Sequence, residues 1–263
     1  MIETEQIALG PSDFAQTRER RIGLIVLETD ITTERDFQSV LAGQSDIATY
    51  AARVPTSNPF TIESLKRISR SLGRAAASIA DGADIDVIAY CCTSGTVAAG
   101  FEEIEQCVHE GRPGAPVVTP ITGARNALRY LNVGRLSMLT PYVQDVNEPV
   151  VEYLTTEGFE VLSCASFNLA SDVDIARVSP QAIQEGAQMC MHPEAEAVFI
   201  SCASLRAVEI VPELEACLGV PVITSVQSLI WDSLRYCDIT CDAPALSTLN
   251  AGVFTVGELL SGQ

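Results

Sequence analysis

Eight short β-branched runs alternate with longer helix-patterned stretches along the chain, and no other feature limits the fold so tightly. The strand candidates are Ile22–Leu27, Ile47–Val54, Asp86–Cys91, Pro116–Thr119, Arg135–Thr140, Phe159–Cys164, Ala197–Ser201 and Pro221–Thr224. Helix-like patterns lie between and after them, near 33–42, 60–81, 97–110, 121–131, 143–157, 179–191, 205–217 and 226–236. Strand, helix, strand in regular succession predicts an α/β protein whose parallel sheets are covered on both faces. In such sheets ligands bind beyond the carboxyl ends of the strands, so chemistry is sought there.

The same residues recur in order. DVIAYCCTSG at 86–95 resembles AVFISCASLR at 197–206, each an apolar strand running into Cys-x-Ser or Cys-x-Ser-like sequence. GAPVVT at 114–119 matches GVPVIT at 219–224, and NALRY at 126–130 matches DSLRY at 232–236. The unit is too long for a solenoid repeat. It predicts two pseudo-symmetric lobes, each a parallel sheet flanked by helices, with the active site in the cleft between them. The expected division is a peripheral arm at 1–20, a first lobe of 21–131 plus 225–263, and a second lobe of 132–224.

Cys92 and Cys202 occupy matching places in the two halves, each at a strand end before a helical pattern. Helix N–H groups and the helix dipole there lower a thiol pKa, and the thiolate is the reactive form. Thr93, Ser94 and Gly95 after the first cysteine, and Ala203 and Ser204 after the second, offer hydroxyls and backbone amides for a carboxylate or an enolate-like oxygen. Two thiols facing one cleft can move a proton from one face of a carbon to the other; one thiol can also add to a double bond while its partner supplies a proton. The competing reading is a pair of buried small hydrophobes, as cysteines often are. Cys91 aligns with Ser201 and should face the opposite way along its strand, which assigns it to packing.

The other six cysteines read as structural, and Cys237 and Cys241 lack the second ligand pair of a zinc site. His109 and His192 fall late in helices or in the loops that follow. No G-x-G-x-x-G after a strand, P-loop, H-E-x-x-H or G-x-S-x-G occurs, so chemistry without a cofactor is expected. A formal charge of −18 argues against nucleic acid, which needs a cationic face. No window is apolar enough to span a membrane, and the first residues have no secretory pattern. With nine cysteines, an odd number, these traits point to a reducing cytoplasm.

RIGLIVLETD at 21–30, YCCTSG at 90–95, TPYVQDVNEPV at 140–150, ISCASLRA at 200–207 and GVPVITSVQSLIWDSLR at 219–235 together resemble the aspartate/glutamate racemase superfamily. The resemblance spans about residues 20–252 and is nearest to the branch of maleate cis–trans isomerase, arylmalonate decarboxylase and the ectoine-utilisation racemase-like protein. It implies that Cys92 and Cys202 are the paired catalytic cysteines, and that Thr93, Ser94 and Tyr142 bind a substrate carboxylate. The decarboxylase branch keeps only the second cysteine, so both thiols together favour a racemase or isomerase of a small amino or carboxylic acid. A Cys202-only decarboxylase and a non-catalytic metabolite-binding protein are the alternatives. Where maleate isomerases carry two carboxylate-binding asparagines, this chain has Asp30 and Asp172, which suit an ammonium or amidinium better than a second carboxylate. Asp30 could equally cap the helix near Thr33, and Asp172 could be a loop acid. The resemblance also allows a homodimer.

Overall fold

The computed structural model describes residues 4–13, 19–239, 246, 248 and 249. The first half runs β1 (Arg20–Leu27), α1 (Thr33–Val40), β2 (Ile47–Val54), α2 (Ile62–Ile68), α3 (Leu72–Ser78), β3 (Val87–Tyr90), α4 (Thr93–Ala99), α5 (Phe101–Gly111), β4 (Val117–Val118) and α6 (Pro120–Tyr130). The second half runs β5 (Arg135–Tyr142), α7 (Gln144–Thr156), β6 (Glu160–Leu169), α8 (Asp172–Ile175), α9 (Pro180–Cys190), β7 (Ala197–Ile200), α10 (Val211–Leu218), β8 (Val222–Thr224) and α11 (Ser225–Tyr236). Two all-parallel four-stranded sheets result, ordered β2-β1-β3-β4 and β6-β5-β7-β8. The second order is the first repeated. In each sheet the chain reverses direction of travel between its first and third strands, which opens a crevice at their carboxyl ends.

Central strands β3 and β7 are buried at every position, as continuous apolar runs under helices on both faces should be. Edge strands β2 and β6 carry half-exposed and exposed positions instead. β6 continues to Leu169, beyond the end expected from its apolar residues, because its register with β5 shifts and pairing resumes at Tyr142 and Leu169.

Helices α6 and α11 bind the halves together. Each starts with a capping box, Thr119 with Thr122 and Thr224 with Gln227, so the strand-to-helix turns are built alike. α6 follows the first sheet yet reaches β8, while α11 follows the second sheet and packs on β3 and β4. Gly123 lets them approach, since a Cβ there would stand 2.7 Å from the Ser228 carbonyl oxygen. Tyr130 and Trp231 meet with ring centroids 5.6 Å apart, and the Arg235 guanidinium lies over the Trp231 ring at 4.6 Å.

Three helices differ from expectation. The pattern over 60–81 breaks into α2, a 3-10 turn at Ser69–Ser71, and α3. The pattern over 97–110 begins earlier, at Thr93, and is interrupted at Gly100, whose φ of 91° no helix accommodates. The pattern over 205–217 yields a turn after Cys202, a 3-10 segment at Val208–Ile210, and α10 from Val211. Periodicity reports which residues face the core; it does not report the backbone breaks between them. Cys241 and most of 240–263 lie outside the described residues. No helix among the described residues is long and apolar enough to cross a membrane.

Candidate active site between the lobes

Cys92 follows β3 and is the N-cap of α4, its sulfur accepting from the Gly95 N–H at 3.3 Å. Ser94 Oγ lies 4.0 Å from the same sulfur. The Tyr90 hydroxyl, fully buried and without a hydrogen-bond partner, lies against it too. A Cβ on Gly95 would stand 2.5 Å from Tyr90 OH and 2.8 Å from Cys92 Sγ, so only glycine leaves this pair its space.

Cys202 follows β7 and is held differently. No helix starts beside it; instead its φ is +101°, a left-handed geometry rare for a residue with a side chain. The expectation of a helix N-terminus at each thiol therefore holds for Cys92 alone. Tyr142, at the end of β5, sets its hydroxyl near Cys202 and accepts from Ser201 Oγ at 3.4 Å. Each cysteine thus has a buried tyrosine beside it.

The two cysteine loops share a single side chain. Ser225, the first residue of α11, accepts at Oγ from Thr93 Oγ1 and from the Cys202 N–H, both at 2.9 Å. One hydroxyl therefore ties the first cysteine's helix to the backbone of the second. The two sulfurs are close enough that a charge on Cys92 raises the pKa of Cys202.

Burial raises both thiols rather than lowering them. Cys92 is pushed up to about 11, chiefly by loss of water, with the Gly95 N–H pulling the other way and the Asp172 carboxylate adding to the rise. Cys202 is raised further by burial and then by Asp172, against hydrogen bonds from the Ser204 backbone and Tyr142. Helix donors are visible in a sequence and desolvation is not, and desolvation is the larger effect at both thiols.

Asp172 begins α8 and is 1% exposed. Its carboxylate accepts from Ser204 Oγ at 2.5 Å and from Thr29 Oγ1 at 2.7 Å, one hydroxyl from each lobe. Asp30 follows β1. Its Oδ1 accepts from the backbone N–H groups of Thr32 and Thr33 at 2.8 and 2.9 Å, the helix-capping role, while Oδ2 has no partner. Ala203 contributes its carbonyl, which accepts from Thr32 Oγ1 at 3.3 Å and fixes the second cysteine's loop to α1. Cys92, Thr93, Ser94, Tyr142, Cys202 and Asp172 come together in one interlobe site, with Asp30 at its edge, its charge felt at Asp172.

Cys91 is buried and donates its thiol to the Ala89 carbonyl, as a packing residue would. His109 bonds the Ala115 carbonyl oxygen, and His192 Nδ1 accepts from the Glu194 N–H, so each histidine is held by its own loop. Tyr90, Ser225 and Thr29 were missed from sequence. Tyr90 had a signal, since it is two residues before Cys92 and so on the same strand face. Ser225 had one as well: the repeat places Pro120 where Ser225 stands, and the change from proline to a hydroxyl marks the asymmetric position. Thr29 had none.

Residues 51–250 match the arylmalonate decarboxylase family. The maleate isomerase of Geobacillus stearothermophilus is 23% identical over 247 residues, covering 89% of this chain and 98% of that protein. The arylmalonate decarboxylase of Bordetella bronchiseptica is 32% identical over 127 residues, 46% of this chain and 52% of that protein. A mutant of the Nocardia farcinica maleate cis–trans isomerase, solved with a covalently bound succinylcysteine intermediate, superposes with a TM-score of 0.78 at 23% identity, covering 84% of this chain and 94% of that one. Two parallel sheets in repeated order, matched over most of their length, are the fold these proteins share, and the chain belongs to the arylmalonate decarboxylase family.

Proposed function

We propose that this chain is a cysteine-dependent isomerase of a small carboxylic or amino acid, with Cys92 and Cys202 acting from opposite sides of the bound molecule. The observation that carries this reading is the pair of buried thiols, each beside a tyrosine hydroxyl, joined through Ser225.

Two courses fit the pair. In the first, the Cys92 thiolate takes the proton from the carbon next to a carboxylate, the electron pair moves into the carboxylate, and the Cys202 thiol returns a proton to the opposite face. In the second, the Cys92 thiolate adds to a carbon–carbon double bond and forms a C–S bond. The π electrons move onto the adjacent carbon and its carboxylate; the new single bond rotates; the C–S bond then breaks and the double bond reforms in the other geometry. The succinylcysteine in the Nocardia farcinica relative is a thiol adduct of the second kind in that protein. A raised thiol pKa serves either course, because the thiolate, once formed, is a stronger base and nucleophile than an ordinary one. Thr93 and Ser94 in the first turn of α4 and Tyr142 offer donors for the developing carboxylate charge.

Cys92→Ala and Cys202→Ala should each abolish turnover with the thermal unfolding curve preserved; full activity in Cys202→Ala would sink the two-thiol reading. Deuterium uptake from heavy water at a substrate carbon separates proton transfer from addition and elimination. The family also contains a decarboxylase, and that reading needs Cys202 alone. Carbon dioxide release from a disubstituted malonate, persisting in Cys92→Ala, would favour it. A buried Cys92 kept beside Tyr90 weighs against it.

A further inference from the structure

Two buried carboxylates stand in the interlobe site without a basic partner. Asp30 is 3% exposed and Asp172 is 1% exposed. Among the described residues their carboxylates meet only hydroxyl and backbone donors. Arg53 donates to the Asp30 backbone carbonyl at 2.7 Å and pairs through its other nitrogen with Glu34. The Asp30 carboxylate is oriented by three donors on Oδ1: two backbone N–H groups and the Thr32 hydroxyl. Backbone N–H groups can only donate, so Oδ1 is fixed as an acceptor and the side chain cannot turn. Its other oxygen is buried and unpaired. Leaving a buried anionic oxygen unsatisfied is costly, and in a native site it points to a missing donor.

The loop that carries Asp30 borders the thiol site: Thr29, the residue before it, donates to Asp172, and the Thr32 hydroxyl lies between Asp30 Oδ1 and the Ala203 carbonyl beside Cys202. Asp30 follows β1 and Cys91–Cys92 follows β3, its neighbour in the sheet. The charge of Asp30 is felt at Cys91 and, across the cleft, at Asp172. Asp172 in turn acts on both Cys92 and Cys202. A substrate reaching both sulfurs therefore lies within the field of two carboxylates that have no basic partner among the described residues.

Resting on the isomerase reading above, we infer that the substrate carries a protonated nitrogen, an ammonium or amidinium, which lies between Asp30 Oδ2 and the Asp172 carboxylate while Thr93, Ser94 and Tyr142 take its carboxyl group. A substrate with two carboxylates and no nitrogen would place a negative charge against these acids. At close range in a water-poor site that repulsion is far larger than in water. The competing arrangement is a protonated Asp172 that donates to a second substrate carboxylate. Burial raises the pKa of Asp172, while the Ser204 and Thr29 hydroxyls that converge on it pull toward the ionised form, and a cationic group between the two acids would pull the same way.

Calorimetric titration of the full chain with maleate, aspartate and 2,4-diaminobutyrate tests this without requiring turnover. Diaminobutyrate should bind roughly tenfold or more tighter than maleate, with aspartate between them. In Asp30→Asn/Asp172→Asn, with unfolding monitored in parallel, the order should reverse. Maleate binding tightest to the unaltered chain, an unchanged order in the double variant, or no binding by any of the three would each overturn the inference. Tight diaminobutyrate binding with no deuterium exchange and no isomerisation would instead uphold it and count against the isomerase reading.

Discussion

Asn126 and Asp232, the first residues of the matching NALRY and DSLRY segments, hydrogen-bond to each other at 3.1 Å. Equivalent residues of a repeat can meet only where the two halves are related about a common axis, so this contact marks the centre of the α6–α11 pair. Asp232 also pairs with Arg235 at 3.0 Å, and burial raises its pKa against the pull of Arg235 and Asn126.

Asp232→Ala should therefore destabilise the fold by about 1–3 kcal/mol, because it removes the partner of a half-buried amide and of a guanidinium that is mostly out of water. Asp232→Asn should cost less, since one donor–acceptor contact with Asn126 can be kept. Urea unfolding of the two variants beside the parent measures the difference; equal stability for all three would remove the contact from any structural role.

Ser225 is a positioning residue, touching Thr93 and the Cys202 backbone but neither sulfur. Ser225→Ala should lower kcat by roughly 10–100-fold, because it loosens the relation between the two thiols, with a smaller change in KM from the freed Thr93 hydroxyl. Ser225→Thr, which keeps the hydroxyl, should recover part of the loss. A fall in stability with kcat unchanged would make the residue merely structural.

The alternation of strands and helices and the two parallel sheets were legible because both follow from the burial pattern and from the repeat. The site was legible as far as its side chains lie next to the cysteines in sequence or carry the family's motif. Cys202 shows where that legibility ends. Its positive φ and the turn at 203–207 replace the helix start that Cys92 has, although the two sequences align. Ser225 is 23 residues from Cys202 and 132 from Thr93, so its bridge exists only after the lobes have assembled. The direction of the thiol shifts was unreadable because desolvation depends on burial in the assembled fold.

Thiol accessibility gives a direct test of the closed site. Cys164 and Cys217 are exposed, whereas Cys92 and Cys202 are buried. At about pH 8 iodoacetamide should label the exposed pair first, with Cys92 and Cys202 protected. As pH rises toward the Cys92 value of about 11, its labelling should accelerate by roughly tenfold per pH unit, in proportion to its thiolate fraction. Peptide mapping by mass spectrometry reads each site separately. Fast labelling of Cys92 near neutral pH would show a thiol that is already ionised.

Asp36, on α1, is 1% exposed and one of its carboxylate oxygens has no partner. Its pKa rises from 3.8 to about 7, first through burial and then through the charges of Glu209 and Asp30, against the pull of Arg35 and Arg206. The folded state thus holds a proton that the unfolded chain releases above 3.8. The stability this gives is complete below 3.8, is lost as pH rises to about 7, and stays lost above it. Asp36→Asn keeps the shape without the charge. Its Tm should match the parent near the lower limit of that window and exceed it increasingly up to neutral pH, reflecting a difference in unfolding free energy on the order of 2–4 kcal/mol at the plateau. A Tm difference that is independent of pH would show that Asp36 stays ionised in the fold and finds its compensation in Arg35 and Arg206.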